Sequence, residues 1–387
     1  QSDKYLDTDP RKYITFKHPI TKELLVYRQL APIYGENSAP IRWEKTLFPF
    51  IQSLGFDKGE NEPCVFYHKE RDLTVLVYVD DILADGYEED IQWFFDEIAE
   101  RFECKEDQWL TPETPIDFLG IDVSMDKDGV CMSMCNYIDK CIIGLSALGL
   151  NNLSASTPMN TEIQDLTLLP ESLKKLFMTA VGCLGWLTNT VRLVDVALAH
   201  SRISQHMANP CKGALEALKR TWQCLAQHKK LCLHQPFDSN DDGGFWCDSD
   251  HAGNPLEANN RKSQNGVLAM VGSAPTMWGS KVTSIAFAHP DIGEAHPDRS
   301  SGAAEVYAAA NATCDIMHLS YCIREMGNVY FPKPFRLLMD NTTAEAFANN
   351  SCFKSKLKHI DVSQRWVRCL RDSSIMTPVH VNTHDNL

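Results

Sequence analysis

The sequence predicts an α+β protein with more than one domain, and three observations lead to this prediction. Residues 73–84 form a β-rich apolar run that two aspartates interrupt. Residues 170–230 carry the alternation of apolar and polar stretches that is typical of helices. From residue 245 onward, short β-like runs at 245–249, 266–271 and 335–339 alternate with alanine-rich helical segments at 302–325 and 342–349, which indicates a separate α/β domain.

The length and composition support this division. A chain of 387 residues exceeds what one hydrophobic core usually organises, so two or three domains are expected. Hydrophobic residues make up 44% and charged residues 23%, and no apolar run approaches the roughly 20 residues of a membrane span, so no membrane partner is expected.

The 14 cysteines are spread over the whole chain, which favours thiols in a reducing compartment. Because the chain opens on Gln1 and lacks a signal-peptide pattern, we expect it to be part of a longer protein.

The net charge of −14 argues at first against a nucleic-acid partner, because phosphate contacts need Lys and Arg. The distribution of charge changes this view. Basic residues concentrate in segments 212–230 and 354–371, which are candidates for a nucleic-acid contact. The alternative for each segment is a solvated helix face.

The run at 73–84 predicts two strands joined by a tight turn at Asp80-Asp81. Since side chains alternate along a strand, Tyr78 and Asp80 should share a face while Asp81 lies at the turn. Adjacent carboxylates repel one another unless a cation lies between them, and Mg²⁺ prefers such oxygen ligands. The pair is therefore a candidate metal site for phosphoryl transfer, with an exposed acidic turn as the alternative.

Further elements are predicted on either side of residue 110. An amphipathic helix is expected over 88–103, followed by a hairpin that joins 118–125 to 130–134 across residues 126–129. The polar run at 238–244 is the best candidate for a linker.

Several short stretches accompany Tyr78-Val79-Asp80-Asp81 in a fixed order. They are the stretch 32–43 with Tyr34-Gly35, Ala39-Pro40 and Trp43, then Ser53-Leu54-Gly55-Phe56, Glu62-Pro63-Cys64-Val65-Phe66, Phe118-Leu119-Gly120-Ile121 and Ser156-Thr157-Pro158-Met159. In this order they resemble the reverse transcriptase of Ty1/copia-type retrotransposons.

A second set of stretches follows the linker. It comprises Trp246-Cys247-Asp248-Ser249-Asp250 with Gly253-Asn254-Pro255, Arg261-Lys262-Ser263, Trp278, Ser280-Lys281, the Ser300–Tyr307 stretch with Glu305, Leu338-Met339-Asp340-Asn341 and Leu357-Lys358-His359-Ile360-Asp361. These stretches resemble the ribonuclease H of the same elements. The resemblance assigns Asp248, Glu305 and Asp340 as metal-binding catalytic carboxylates, with Asp250 as a neighbour. Taken singly, Glu305 is better explained as a salt-bridged helix residue and Asp340 as a strand-end cap, and only their common order in the family favours catalysis.

The resemblance implies a domain order. A polymerase palm would occupy residues 1–160 and a helical thumb or connector 161–236. A linker at 237–244 would lead to an α/β ribonuclease H-like domain at 245–387. A third polymerase aspartate would be expected before Gln1 and a fourth ribonuclease H carboxylate after Leu387. Residues 1–387 alone are then expected to show little polymerase activity and at best weak nuclease activity. No role is assigned to the connection 288–299.

The resemblance also implies function and partners. We expect RNA-directed DNA polymerisation and cleavage of the RNA of RNA–DNA hybrids, each with two Mg²⁺ or Mn²⁺ ions per active site. The catalytic and metal-binding residues would be Asp80, Asp81, Asp248, Glu305 and Asp340. The residues that contact nucleic acid would be Tyr78, Val79, Arg261, Lys262, Lys281, Lys358 and His359. Partners would be an RNA template, a DNA primer, the hybrid, dNTPs and the rest of a Gag-Pol polyprotein, in a virus-like particle of the cytoplasm or in the nucleus. The alternative is a catalytically inactive remnant that binds nucleic acid or serves a structural role.

Two groups of Cys and His residues suggest metal binding more weakly. Cys131, Cys135 and Cys141 alternate with methionines and apolar residues, which favours core packing. Cys224, His228, Cys232 and His234 are better spaced, but no other signal at that point of the sequence calls for zinc. The sequence alone therefore assigns neither group to a metal.

Overall fold

The computed structural model describes residues 13–28, 39–150, 155–159, 163–237, 243–250, 263–282, 287–288, 295–296, 301–327, 333–349 and 361–386. Over these residues the protein combines helices with β-sheets, as the sequence predicts. The chain divides into two compact units. The first contains residues 1–101 with Glu325–Gly327, and the second contains the remainder.

The first unit is built on a four-stranded antiparallel sheet with the strand order β3-β4-β5-β6. Its strands are β3 Asp57–Lys58, β4 Val65–His68, β5 Leu73–Tyr78 and β6 Asp81–Asp85. Every second residue of β5 is buried, namely Leu73, Val75 and Val77, and the strand predicted in the first part of the run at 73–84 is confirmed. A separate hairpin pairs β1 Tyr13–Lys17 with β2 Leu24–Arg28.

Helices α1 Ala39–Ser53 and α2 Glu88–Arg101 complete the first unit. Aromatic edge contacts join the helices to the rest of the unit, with ring centroids 5.0 Å apart for Phe48 and Phe66 and 5.3 Å apart for Phe56 and Phe94. The predicted helix at 88–103 is confirmed, although it ends at Arg101.

The second unit begins with a four-stranded antiparallel sheet in the order β10-β9-β8-β7. Its strands are β7 Ile116–Phe118, β8 Ile121–Met125, β9 Gly129–Ser133 and β10 Leu233–Pro236. The predicted single strand over 118–125 is wrong, because Leu119 and Gly120 have φ angles of 56° and 79° and form a tight turn between β7 and β8. The last strand, β10, comes from a distant part of the chain.

Four helices of this unit enclose one apolar core. They are α3 Cys135–Gly144, α4 Glu171–Thr188, α5 Leu193–Ser204 and α6 Lys212–Gln227. Fully buried side chains such as Phe177, Leu184 and Trp222 fill the core, and Met132 of β9 and Leu233 of β10 pack against it. The helical pattern predicted for 170–230 is confirmed.

A five-stranded sheet in the order β13-β12-β11-β16-β17 forms the last part of the second unit. Its strands are β11 Gly244–Asp250, β12 Gln264–Val271, β13 Ala274–Val282, β16 Phe335–Met339 and β17 Met376–His380. β11, β12 and β13 are antiparallel, whereas β16 pairs parallel with both β11 and β17. The strands and helices predicted for this segment are thus confirmed.

Helices α7 Ser301–Glu325, α8 Thr342–Asn349 and α9 Asp361–Asp372 accompany this sheet. Their apolar residues pack with Phe245, Leu337 and Met376 of the strands in a second core. Within 288–299 the structure describes only the pairing of β14 Phe287–Ala288 with β15 Ala295–His296. The predicted linker lies mostly outside the described residues, since only 237, 243 and 244 are included.

The helices of the second unit also contact its five-stranded sheet. The indole Nε1 of Trp278 on β13 donates a hydrogen bond to the carbonyl of Thr188 at the end of α4, at 3.2 Å. The Nε2 of Gln264 on β12 donates to the hydroxyl of Ser201 on α5 at 2.9 Å. These contacts fix the sheet against the helices on the side where β11 ends.

Candidate functional site

Three predicted carboxylates meet in the second unit. Asp248 lies on β11, Glu305 near the beginning of α7 and Asp340 directly after β16. Each offers one ligand oxygen, and these three oxygens all lie within 4.8 Å of one another. We call these three residues the carboxylate cluster.

The register of two parallel strands explains how Asp248 and Asp340 come together. Trp246 of β11 is paired with Leu338 of β16. Asp248 and Asp340 each lie two residues further along, so both stand at the same level near the carboxyl ends of neighbouring strands. Buried residues of α7, including Val306 and Tyr307, pack in the core beneath the sheet and thereby bring Glu305 to the same place.

The cluster has unusual electrostatics. The Glu305 residue is 5% exposed, and its burial, followed by the negative charges of Asp248 and Asp340, raises its pKa to about 8. Burial also raises the pKa of Asp248, with a further contribution from Asp340 and Asp250. The Oε2 atom of Glu305 is buried without a hydrogen-bond partner in the described part of the chain. A cation at this position would neutralise the repulsion and give that oxygen a partner.

Two neighbours of the cluster have defined partners. The carboxylate of Asp250 forms an ion pair with Arg202 of α5 at 3.4 Å, and it does not belong to the group of three ligand oxygens. His380 on β17 donates its Nε2–H to the backbone carbonyl of Asp340 at 3.1 Å. Sequence reasoning missed His380, because its position depends on the parallel pairing of β16 with β17.

The other predicted pair, Asp80 and Asp81, lies on the hairpin of β5 and β6 in the first unit. The turn consists of Val79 and Asp80, while Asp81 begins β6 and pairs with Tyr78. The expectation that Asp81 occupies the turn is therefore wrong by one residue, because the turn begins at Val79. Val79 has a φ of 57°, a strained conformation for a β-branched residue.

The turn is exposed, and a hydrogen bond from α1 holds it. The indole Nε1 of Trp43 on α1 donates a hydrogen bond to the carbonyl of Val79. Asp80 and Asp81 are exposed, and in the described residues they belong to no group of three Asp, Glu, His or Cys ligand atoms within 4.8 Å. Sequence reasoning named Trp43 as a landmark and gave it no role.

The predicted nucleic-acid contacts are described only in part. Tyr78 and Val79 are 51% and 54% exposed at the hairpin. Lys281 is exposed on β13, where it pairs with Asn265, whereas Asp248 pairs with Gly266. Arg261, Lys262, Lys358 and His359 lie outside the described residues. No helix in the described ranges is long and apolar enough to cross a membrane.

Comparison with known families defines the class of the first part of the chain. Residues 4–161 match the model of the reverse transcriptase (RNA-dependent DNA polymerase) family, and this region is a reverse transcriptase domain.

The whole chain is also related to Pol polyproteins of copia-type transposons, which confirms the predicted family resemblance. It is 28% identical over 364 residues to the Retrovirus-related Pol polyprotein from transposon RE1 of Arabidopsis thaliana, covering 92% of this chain. It is 28% identical over 383 residues to the corresponding protein from transposon RE2 of the same plant, covering 94% of this chain. The chain spans only 23% and 24% of the lengths of these two relatives.

A solved structure is similar at a much lower level. It is the crystal structure of Prototype Foamy Virus Protease-Reverse Transcriptase, with 11% identity and a TM-score of 0.25, covering 92% of this chain and 60% of that chain. A likeness at this TM-score has no bearing on the fold or the site.

Proposed function

We propose that this chain serves two phosphoryl transfers of a retrotransposon Pol polyprotein, which are RNA-directed DNA synthesis and cleavage of the RNA strand of RNA–DNA hybrids. The first part of the proposal rests on the reverse transcriptase domain. The second part is carried by one observation, the convergence of Asp248, Glu305 and Asp340 from three separate elements. The partners we propose are an RNA template, a DNA primer, dNTPs and the hybrid, with the rest of a Gag-Pol polyprotein in a cytoplasmic virus-like particle or the nucleus.

The residues of the carboxylate cluster fit divalent ions. Three carboxylates are hard oxygen donors of the kind that Mg²⁺ and Mn²⁺ accept, and the buried Oε2 of Glu305 has no hydrogen-bond partner among the described residues. We propose two ions held by Asp248, Glu305 and Asp340. Bound there, such ions would supply an activated water and stabilise the leaving oxygen of the cleaved phosphodiester.

The protein groups prepare the site in defined ways. In the metal-free chain Glu305 favours its protonated form at neutral pH, because burial, followed by the charges of Asp248 and Asp340, raises its pKa to about 8. This proton must leave before Glu305 can act as a ligand. His380 holds the peptide of Asp340 in place through its hydrogen bond to the carbonyl. The cluster is thus positioned before any substrate binds.

The hairpin would serve the polymerase reaction. Asp80 and Asp81 are exposed carboxylates next to the exposed Tyr78 and Val79, which we propose as contacts to the template–primer duplex. The Trp43 hydrogen bond would hold the turn while the duplex is bound. We propose that Asp80 and Asp81 hold the ions of this second reaction.

Substitution of one carboxylate in each region tests the proposal. In the reading frame extended in both directions, Asp80→Asn should abolish primer extension and leave hybrid cleavage, whereas Asp248→Asn should do the reverse. Removing a metal ligand in a site of this kind should lower the affected rate by about 100-fold or more. Primer extension on an RNA template and cleavage of a labelled hybrid are measured on the same preparations, with Mg²⁺ and with Mn²⁺.

Two control variants make the result specific. Asp85→Asn changes an exposed carboxylate at the other end of β6, and Asp315→Asn changes a half-buried carboxylate later in α7. Both variants should keep both activities. If both activities disappear together in Asp80→Asn or Asp248→Asn without loss of folding, the assignment of two separate sites is wrong. A folded protein that binds the hybrid without either activity would favour an inactive binding module instead.

A further inference from the structure

A second group of metal-type ligands lies in the sheet β10-β9-β8-β7, away from the carboxylate cluster. Asp126, Cys131 and His234 each offer one ligand atom, and these atoms all lie within 4.8 Å of one another. The thiol of Cys232 lies close enough to that of Cys131 to contribute, after burial, to the raised pKa of Cys131. We call these four residues the β9–β10 group.

The strand register brings the group together. Cys131 of β9 is paired directly with His234 of β10, so their side chains lie next to each other on one face. Cys232 comes directly before β10, and its effect on the pKa of Cys131 indicates that its thiol lies near this pair. The neighbouring pair, Met132 and Leu233, packs against the helical core. Since neighbours in a strand alternate, Cys131 and His234 face away from that core.

This placement overturns the interpretation of Cys131 as a core residue. Cys141 does belong to the helical core, as the sequence suggested, but Cys131 is absent from it. Neither of the two Cys and His groups noted in the sequence predicts this site. The site combines Cys131 of the first group with Cys232 and His234 of the second. Core packing therefore explains Cys141 and leaves the position of Cys131 unexplained.

Asp126 is fixed in position for the same site. Its carboxylate accepts hydrogen bonds from the backbone N–H groups of Asp128 and Gly129, at 2.8 and 2.9 Å, in the turn between β8 and β9. Its Oδ1 atom is 3.7 Å from the Nε2 of His234. Ligand atoms around a tetrahedral zinc ion are separated by roughly 3.3–3.8 Å, given bonds of about 2.0–2.3 Å. The pair is therefore within a few tenths of an ångström of the separation that zinc requires, which is roughly 3.3–3.5 Å for nitrogen and oxygen ligands.

We propose that Asp126, Cys131, Cys232 and His234 form a structural zinc site that fastens β10 to the β8–β9 hairpin. Two thiolates, an imidazole and a carboxylate are four ligands that zinc accepts in tetrahedral geometry. Sulfur ligands select zinc against Mg²⁺, which prefers oxygen. The site would link segments that are far apart in sequence, so bound zinc would stabilise the folded chain against unfolding. This inference does not depend on the proposed phosphoryl transfers.

Metal content and spectroscopy of the full chain test the proposal. The reduced protein, prepared with zinc and then dialysed, should retain one equivalent of zinc. Cobalt(II) added to the zinc-free protein should give the visible absorption of a tetrahedral site and a thiolate-to-cobalt charge-transfer band. Saturating zinc should raise the midpoint of thermal unfolding by about 5–10 °C. Excess Mg²⁺ should neither displace the metal nor change the cobalt spectrum.

Variants separate metal binding from folding. Cys232 is exposed, so Cys232→Ser should fold normally while losing the charge-transfer intensity of one thiolate and at least about 10-fold in zinc affinity. Asp126→Asn and His234→Gln should each weaken zinc to a similar degree. Cys369→Ser, at another exposed cysteine, is the matched control and should bind zinc like the parent chain. Cys131→Ser should abolish the site, and circular dichroism should show that the zinc-free variant keeps its secondary structure.

Three results would overturn the proposal. The first is a reduced, folded protein that binds no zinc at micromolar concentration. The second is an unchanged zinc affinity in Cys232→Ser and Asp126→Asn relative to the parent chain, since the metal would then be bound elsewhere. The third is a Cys131–Cys232 disulfide that forms in the presence of zinc and a thiol reductant, because the two thiols would then serve as a covalent link instead of as metal ligands.

Discussion

The two acidic regions of this protein, the hairpin of β5 and β6 and the carboxylate cluster, collect negative charge in opposite ways. The hairpin takes Asp80 and Asp81 from adjacent positions and exposes both. The cluster takes its three residues from three distant elements and buries Glu305. Solvent screens the charges at the hairpin, whereas burial at the cluster raises the pKa of Glu305 to about 8. The cluster therefore needs either a proton or a cation to offset its negative charge, while the hairpin can remain solvated without either.

The first expected difference between the two regions concerns metal affinity. In residues 1–387, Glu305→Gln or Asp248→Asn should lower the affinity for Mn²⁺ at the cluster by about 10-fold or more, because each removes a ligand from a preformed set. Asp80→Asn and Asp81→Asn should change it by less than about 2-fold. Isothermal titration with Mn²⁺ measures this on protein that was loaded with one equivalent of zinc and dialysed, because excess zinc would compete with Mn²⁺ for the carboxylates. An equal loss of Mn²⁺ affinity in the cluster variants and in the hairpin variants would show that the cluster is not the stronger site.

A second expected difference concerns the pH dependence of stability. The folded-state pKa of Glu305, about 8, is above the value of 4.5 for an unperturbed Glu, so the folded chain binds this proton more tightly than the unfolded chain. The free energy of unfolding should therefore fall as the pH rises from about 4.5 to about 8, by an amount on the order of a few kcal/mol. Urea unfolding of the chelator-treated protein at several pH values measures the effect.

Glu305→Gln and the hairpin variants distinguish the source of this pH dependence. The Glu305→Gln chain has no carboxyl to titrate at this position, so its stability should change much less over the same range. Asp81→Asn should leave the slope of the parent chain unchanged. Added Mn²⁺ should flatten the slope of the parent chain, since the ion replaces the proton on Glu305. A slope that persists in Glu305→Gln would assign the effect to another group.

The smallest expected effect concerns the backbone of the hairpin. Val79 and Leu119 both occupy two-residue turns with positive φ, 57° and 56°, but only Val79 lies beside the aspartates. Replacing either residue by glycine removes the strain of a left-handed conformation, about 1–2 kcal/mol. It also adds about 0.5–1 kcal/mol to the conformational entropy that the chain loses on folding. Val79→Gly and Leu119→Gly should therefore each raise the free energy of unfolding by about 0.5–1 kcal/mol, measured by urea unfolding. A loss of stability in Val79→Gly alone would mean that the valine side chain makes contacts that outweigh the strain.

Local patterns predicted the elements well where one strand or helix is defined by its own residues. The alternation of Leu73, Val75 and Val77 is sufficient to specify β5, because each second side chain must be buried. The alanine-rich run at 342–349 coincides with α8. The turn between β5 and β6 was misplaced by one residue, because a β-branched residue such as Val79 is a poor candidate for positive φ and local propensity therefore favours a later turn.

The carboxylate cluster could be predicted from the sequence only because the order of its motifs resembles a known family. Local patterns alone do not show which strands are neighbours. Periodicity indicates that Asp248 and Asp340 follow strands, but it does not show that those strands are parallel neighbours. The same limit explains why His380 and the β9–β10 group were missed. Cys131 and His234 are adjacent only because β10 pairs with β9 across a long stretch of chain, and no short window of sequence contains both residues. Predictions from sequence therefore fail first at contacts made by distant strand pairing.

The position of β10 also has a consequence for how this chain folds during synthesis. β9 remains a sheet edge until Leu233–Pro236 have left the ribosome, by which time helices α4, α5 and α6 have already emerged. Long-range pairing of this kind raises the contact order and slows folding, and the waiting edge is a site where a nascent chain can pair wrongly. We therefore expect the four-stranded sheet and the helices to gain amide protection together, as one late cooperative step, in pulsed hydrogen exchange.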